Sequence, residues 1–428
     1  MDAHDVRRRG AATAARSADG RVARPDSVAA RLVLRRLRRL RSGRLSLELP
    51  GGDVREFGAG AGGPEARVRV RRARMFRRVL LEGDPGAGAS YADGDWEADD
   101  LVALIRLVID NRQALGSGTT VARWLGHLLQ LFRRNTVRGA RRNITRHYDL
   151  GNEFFEQFLD PTMTYSSAVF ERADEDLASA QIRKYRRLAH KGRIDPGHHV
   201  LEIGCGWGGF AEFAAREIGC RVTGLTISPA QAAYARRRIE DAGLADRVRI
   251  ERTDYRRVGG SYDRIVSIEM LEAVGHANLA TWFAACDRLL APGGVLAVQV
   301  ITIPDQRYAE YRRGSDFIRR YIFPGGHLPS LGAMCRALER HTSLGIEELE
   351  NIAPHYAETL RHWRRRFLER REPVLALGFD ETFFRRWEYY FAYCEAAFAS
   401  RALSDLQLVL SRPGNAALGC DPYGGSLA

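Results

Sequence analysis

What is scarce in this chain closes off several classes of protein. No apolar run approaches the roughly 20 residues that cross a bilayer as a helix. The longest candidate, Val295–Ile303 (VLAVQVITI), reads as a buried strand. The N-terminus is rich in arginine and has no apolar stretch of signal-peptide kind, so no secretory signal is expected. The six cysteines are scattered with no CxxC pair, which argues against a zinc or other metal site and against a disulfide framework, and fits a reducing cytosol. Lysine is missing from residues 1–80, yet that segment holds 21 Arg against 8 acidic residues and accounts for the whole net charge of +13. A basic segment of this size suits an anionic partner, either phospholipid head groups or nucleic acid. For residues 1–25 a disordered, solubilising tail is the plainer reading.

What is present is enough for two or three domains: 428 residues, 45% of them apolar. Ala29–Leu40 places Ala30, Val33, Leu34, Leu37 and Leu40 at helical spacing, with Arg31, Arg35, Arg36, Arg38 and Arg39 mostly on the other side. Such a helix lies either on an anionic bilayer or against its own domain. Residues 26–118 read as a small mixed domain, with strands at Leu45–Leu49 and Ala66–Val70 and turns at Gly51–Gly52 and Gly58–Gly63. A helix is expected over Asp95–Asn111, its acids near the N-terminal end where the helix dipole favours them. Residues 119–142 read as a linker helix ending in a basic cluster. Within 143–412, strand-like runs at 199–203, 221–226, 247–251, 262–268 and 294–302 alternate with helical ones, which predicts a doubly wound α/β sheet. Phe317–Leu410 is expected to be mostly helical and aromatic-rich, and 413–428 a loose Gly-rich tail.

The sequence Val200–Gly209 (VLEIGCGWGG) is a short strand running into a glycine turn and then a helix. Glycines are needed where a chain turns sharply and where a ligand approaches the backbone. The spacing is G-x-G-x-G-G, not the dinucleotide G-x-G-x-x-G. The following strand, Arg221–Leu225, lacks the terminal acid that holds a ribose in nicotinamide folds; Thr226 and Ser228 stand there instead. Gly204, Cys205 and Gly206 therefore predict an S-adenosylmethionine site. Asp254 and Tyr255 follow the third strand, where an acid and an aromatic would meet the adenine. The series resembles the class I methyltransferase fold, a Rossmann-like doubly wound sheet.

Longer motifs narrow the reading. Asn143–Phe155 (NITRHYDLGNEFF), Leu159–Phe170 (LDPTMTYSSAVF), Gly224–Gln231 (GLTISPAQ), Ser267–Gly275 (SIEMLEAVG), Tyr321–Ser330 (YIFPGGHLPS), Pro354–Leu360 (PHYAETL) and Trp387–Arg401 occur in order. Together they resemble the cyclopropane-fatty-acyl-phospholipid synthase family, which includes the mycolic acid cyclopropane synthases. The N-terminal part resembles, more weakly, the extra domain of the phospholipid-acting members. The resemblance implies a helical, aromatic elaboration that binds an acyl chain beside the cofactor. It also implies cofactor contacts from Tyr165, Ser166, Gly204, Gly206, Thr226, Gln231, Asp254 and Tyr255, with His147 near the cofactor's amino-acid end. A homodimer working peripherally on the inner, cytoplasmic face of an anionic membrane with unsaturated acyl chains is the expected setting; an RNA or small-molecule methyltransferase is the remote alternative. The aromatics Tyr308, Tyr311, Phe317, Tyr321 and Phe323 are expected either in the core or along the acyl tunnel, and Arg312, Arg313, Arg319 and Arg320 at the surface.

In cyclopropane-forming relatives a bound bicarbonate is the base, held by a Cys, a Glu, a His, an Ile backbone and a Tyr. Mapped here, these are Ser167, Glu272, Gln299, Ile301 and Tyr356, so two of the five pocket residues are changed. Glu269 also replaces a small residue. A carboxylate beside an anion site disfavours a second anion and is itself a candidate base if burial raises its pKa. The expectation is a protein carboxylate, Glu269 or Glu272, in place of or alongside bicarbonate, and a methylene or methyl-branched product completed by a reductase. A cyclopropane synthase with a variant bicarbonate site is the alternative.

Overall fold

The computed structural model describes residues 27–58, 62–116 and 150–418. The expectations for residues 1–25 and 119–142, and for His147, lie outside the described residues.

A four-stranded sheet, ordered β2-β1-β3-β4, comprises β1 (Arg44–Glu48), β2 (Val54–Phe57), β3 (Glu65–Val70) and β4 (Trp96–Ala98). β1 runs antiparallel to β2 and parallel to β3, and β3 runs antiparallel to β4. Strict alternation of exposed and buried residues along β3 turns one face to a core. The helix Val28–Leu37 buries Ala30, Val33 and Leu34, so of its two readings the structure selects packing against its own unit. The helix expected over Asp95–Asn111 is corrected: Trp96–Ala98 pairs with β3, and the helix spans Leu101–Asp110. Asp100 explains the late start, since it sits in extended backbone and its carboxylate accepts from the Ala103 N–H at 2.9 Å, capping the helix there.

The larger sheet has the order β10-β11-β9-β8-β5-β6-β7. Its strands are β5 (His199–Ile203), β6 (Arg221–Leu225), β7 (Val248–Glu251), β8 (Tyr262–Ile268), β9 (Leu290–Thr302), β10 (Gly345–Asn351) and β11 (Ser404–Ser411). β5 to β9 are parallel to their neighbours, whereas β11 runs antiparallel to β9 and β10 antiparallel to β11. The chain moves outward from β5 in both directions, so a crevice opens at the C-terminal ends of β5 and β8, where doubly wound sheets bind ligands. The third expected to be mostly helical is so, with helices Leu331–His341, Ala353–Glu369 and Glu381–Ala399, but it also contributes the strands β10 and β11, which were not expected. Covered on both faces, β11 is buried along nearly its whole length, including its polar Asp405 and Gln407.

The helices Ala353–Glu369 and Glu381–Ala399 join the two sheets. Phe76 and Leu107 from the N-terminal unit share one core with Phe154, Trp363 and Phe391. Polar contacts pin the same seam. Asp84 Oδ2 accepts from the Phe317 N–H at 3.0 Å and the Tyr393 hydroxyl at 3.1 Å, and the Tyr91 hydroxyl donates to Glu388 at 2.8 Å. At Gly88 the helix Asp84–Ala92 passes so near Phe317 that a Cβ would sit 2.2 Å from its ring. No helix among the described residues is long and apolar enough to cross a membrane.

Candidate active site

One cavity of about 1230 Å³ runs from the crevice at β5 and β8 toward the N-terminal unit. That exceeds the roughly 300–1000 Å³ of a typical small-molecule site, so it has room for more than one ligand. At its polar end Gly204, Gly206 and Gly208 follow β5 with φ of +92°, +52° and +85°. A Cβ at Gly204 would strike the Met270 side chain at 2.6 Å, whereas one at Gly206 would meet nothing within 4 Å. The loop is thus held tightly on one side and leaves open space above its middle glycine. Tyr165, Ser166, Cys205, Thr226, Gln231, Asp254 and Tyr255 line the same end. The Thr226 hydroxyl donates to Gln231 Oε1 at 2.9 Å, and both Asp254 oxygens are gripped by Arg256, at 2.8 and 2.6 Å. Arg256 holds the Asp254 carboxyl below its usual range against the opposing effect of burial. Ser228 is corrected: its hydroxyl accepts from the Gln231 N–H and caps the helix Pro229–Asp241, away from the cavity.

Glu202 also faces this end, and its Oε2 is buried with no hydrogen-bond partner among the described residues. Burial pushes its pKa up to about 8, with Lys184 opposing. A buried orphan acceptor beside a glycine loop open above Gly206 suits a cofactor that carries an amine.

Glu269 stands one residue beyond β8, in left-handed backbone with φ +47°. This conformation is costly for a residue with a Cβ and is typical of strained functional positions. Oε1 accepts from the Ser167 N–H at 2.7 Å and from Gln299 Nε2 at 2.8 Å, and Oε2 accepts from the Tyr356 hydroxyl at 2.6 Å. Three of the five positions that the family resemblance assigns to bicarbonate therefore donate to this carboxylate. Ser167 does so through its backbone; its hydroxyl donates to the Ala168 carbonyl at 3.0 Å, which corrects the expectation of a side-chain contact. Gln299 sits behind Glu269 with no surface on the cavity, its Oε1 accepting from Gln407 at 3.1 Å. Glu272 accepts instead from the Ile301 N–H at 2.6 Å, and its other oxygen has no partner among the described residues.

Residues 135–408 match the mycolic acid cyclopropane synthetase family. The chain belongs to that family. It is 40% identical over 401 residues to the tuberculostearic acid methyltransferase UfaA1 of Mycobacterium tuberculosis, covering 91% of this chain and 93% of that one. It is 37% identical over 355 residues to the cyclopropane-fatty-acyl-phospholipid synthase of Escherichia coli, covering 82% and 89%. The solved structure of the mycolic acid cyclopropane synthase CmaA1, complexed with SAH and CTAB, superposes with a TM-score of 0.59 at 31% identity over 63% of this chain and 97% of that one. As a member, the protein is an S-adenosylmethionine-dependent C-methyltransferase of the cyclopropane-fatty-acid synthase type, with the class I methyltransferase fold.

Within this family member the two candidate carboxylates differ in kind. Burial pushes Glu272 up to about 8, and the neighbouring Glu269 charge pushes in the same direction. Burial also raises Glu269, but Tyr356, the Ser167 N–H, Lys184 and Gln299 all favour its charged form. Asp405, on β11 opposite Ile301, is raised far above the usual range by burial and then by Glu269 and Glu272; its Oδ2 accepts from Gln299 at 3.2 Å. Lys184 is wholly buried, its Nζ 2.7 Å from the Ser166 hydroxyl, and burial lowers it to about 8 while the surrounding acids oppose. Of the buried acids Glu202, Glu269, Glu272 and Asp405, Glu269 is the one whose side chain accepts from three donors, each of which favours its charged form.

Lys184, Asp405 and Gln407 escaped the sequence reading. Lys184 left one signal, as one of only two lysines in a chain with 66 Lys and Arg. Asp405 and Gln407 left none, because only the pairing of β11 with β9 carries them behind Gln299.

Proposed function

We propose that this enzyme adds a one-carbon unit to the cis double bond of an unsaturated acyl chain on a phospholipid, that Glu269 is the base, and that the product is methylene-branched. S-Adenosylmethionine, when bound at Gly204–Gly206, supplies an electrophilic methyl group. The alkene's electron pair would form the new C–CH₃ bond as the methyl–sulfur bond breaks with its pair left on the departing thioether, and a cation remains on the adjacent chain carbon. Around it the cavity offers Ile301, Phe323, Leu360, Tyr390 and Phe398, which exclude water and tolerate charge without trapping it. A hydride shift to the cationic carbon moves the charge to the methyl-bearing carbon. Glu269 Oε2 then takes a proton from the methyl, and the freed electron pair closes the exocyclic C=C. A separate reductase would saturate that bond.

The observation that carries this reading is the set of donors on Glu269. Donors assigned by resemblance to bicarbonate are already used, and an ionised carboxylate in their midst disfavours a second anion. Oε1 faces the buried Ser167 and Gln299, while Oε2 faces Tyr356 and has only one donor, so it keeps capacity for a proton. The 40% identity to a protein named as a methyltransferase supports the branched product.

The test is product analysis. With S-adenosylmethionine and oleoyl phospholipid, proton NMR should show exomethylene protons and mass spectrometry a gain of one carbon. High-field cyclopropane protons at high yield would overturn the branched product.

Tyr356 gives a sharper expectation. Its hydroxyl lies 2.6 Å from Glu269 Oε2 and favours the ionised base. A base with a raised pKa loses activity as pH falls through that raised value, earlier than an ordinary Glu would. Tyr356→Phe raises it further, so the acid limb of the kcat profile should move up by about one pH unit, the worth of one hydrogen bond to a charged group. A uniform loss with an unmoved limb would mean that Tyr356 only packs.

A further inference from the structure

We propose that Arg112 and Arg307 form a phosphate site at the seam between the N-terminal helices and the catalytic sheet, and that its ligand is the phosphodiester of a glycerophospholipid whose acyl chain enters the cavity beside it. This rests on the reading of the cavity as an acyl site.

Among the described residues five arginines line the cavity: Arg36, Arg112, Arg256, Arg307 and Arg319. Two are committed to the protein. Arg256 grips Asp254, and Arg319 donates to the carbonyls of Tyr311 and Gly314 at 2.9 and 2.8 Å while lying over the Tyr311 ring. Arg307 gives one N–H to the Ala402 carbonyl at 3.2 Å, which leaves most of its donors over. Burial lowers the Arg307 guanidinium, and the charge of Arg112 is the next cause, ahead of the opposing Tyr393, Glu310 and Asp316. Two guanidinium groups from distant parts of the chain thus line one cavity, and their like charges repel. An anion bridging them would remove that repulsion, and a guanidinium fork matches phosphate oxygens in pairs.

The surroundings say what carries the anion. Leu104, Ile105 and Val108, on the helix leading into Arg112, all line the cavity, so an apolar stripe ends in a cation. Val108 is 46% exposed, which marks where the cavity meets solvent. Arg36 repeats the pattern on the first helix: it lines the cavity beside Val33 and Leu37, while Arg31, Arg35, Arg38 and Arg39 are exposed. Grease inside and guanidinium at the rim match an acyl chain inside and a phosphate at the rim.

The test compares dioleoylphosphatidylglycerol with dioleoylglycerol, dispersed in the same neutral detergent, for the full chain and for an R112Q/R307Q variant. KM for the phospholipid should rise about tenfold or more, the worth of a lost charge-assisted hydrogen bond, while turnover of dioleoylglycerol is unchanged. An R112K/R307K variant keeps the charge and should keep most of the preference. Equal losses on both substrates, or none on the phospholipid, would overturn the site. Millimolar inorganic phosphate should leave wild-type turnover unchanged; strong inhibition would assign the arginines to a soluble phosphate and overturn the lipid ligand. Binding of the two lipids, followed by fluorescence, separates this site from the proposed reaction. If wild type turns over neither lipid yet R112Q/R307Q loses phospholipid binding, the reaction falls and the site stands.

Discussion

Glu269→Gln should lower kcat on oleoyl phospholipid by about a thousandfold, in the range that general base catalysis supplies, with cofactor binding intact. The amide nearly matches the carboxylate in shape but has no basic oxygen pair, and its NH₂ would meet donors at Ser167 and Gln299 or at Tyr356. Glu269→Gly makes a different prediction. Glycine accepts φ +47° without strain, and removing the side chain frees the Ser167 N–H, the Gln299 amide and the Tyr356 hydroxyl together. Those donors would then suit an exogenous anion, so added bicarbonate should restore activity to Glu269→Gly but not to Glu269→Gln. Failure of rescue alongside equal losses in both variants would mean that the donors do not form an anion site when emptied.

Lys184→Met should be the most damaging single change to the fold among the residues of this site. The Lys184 Nζ lies 2.7 Å from the Ser166 hydroxyl, and its wholly buried charge favours the ionised form of Glu269. Removing it leaves a buried hydroxyl without that partner and a buried carboxylate without that cation, a cost of about 1–3 kcal/mol or more. The pH dependence has a definite sign. Glu269 has a raised pKa in the folded state, so its protonated form is favoured by folding; stability from this source is present below the unfolded pKa and is lost as pH rises through the folded one. Removing Lys184 raises the folded value further. The deficit of Lys184→Met against wild type, measured by denaturant titration, should therefore shrink as pH falls from 7 toward 5. A deficit that grows over this interval would mean that Lys184 does not offset these acids.

The parallel strands were legible because their apolar runs were bounded by turns, and the expected and observed spans of β5 and β8 coincide. β4 was hidden, since three residues ahead of a capped helix carry no period of their own. β10 was hidden for the opposite reason: it is an edge strand, exposed over most of its length, and its Glu-rich sequence reads as helix. The glycine loop stood out in the sequence because three glycines at G-x-G-x-G spacing follow an apolar strand, and the structure places Gly204 and Gly206 on the cavity. Ser228 was misplaced because a serine ahead of Pro229 is equally a helix cap. At the chemical centre the sequence could name Glu269 and Glu272 but not choose between them. The choice depends on which oxygen meets which donor, and those donors come from the segment around Ser167, from β9 and from the helix Ala353–Glu369, none of them near Glu269 in sequence.

In the proposed reaction a carboxylate of the chain itself replaces bicarbonate as the base. The most direct measurement is the initial rate of lipid methylation in buffer stripped of carbon dioxide, with and without added bicarbonate. Equal rates in the two conditions are expected for the wild-type enzyme. A rate that collapses on stripping and returns with bicarbonate would contradict that replacement.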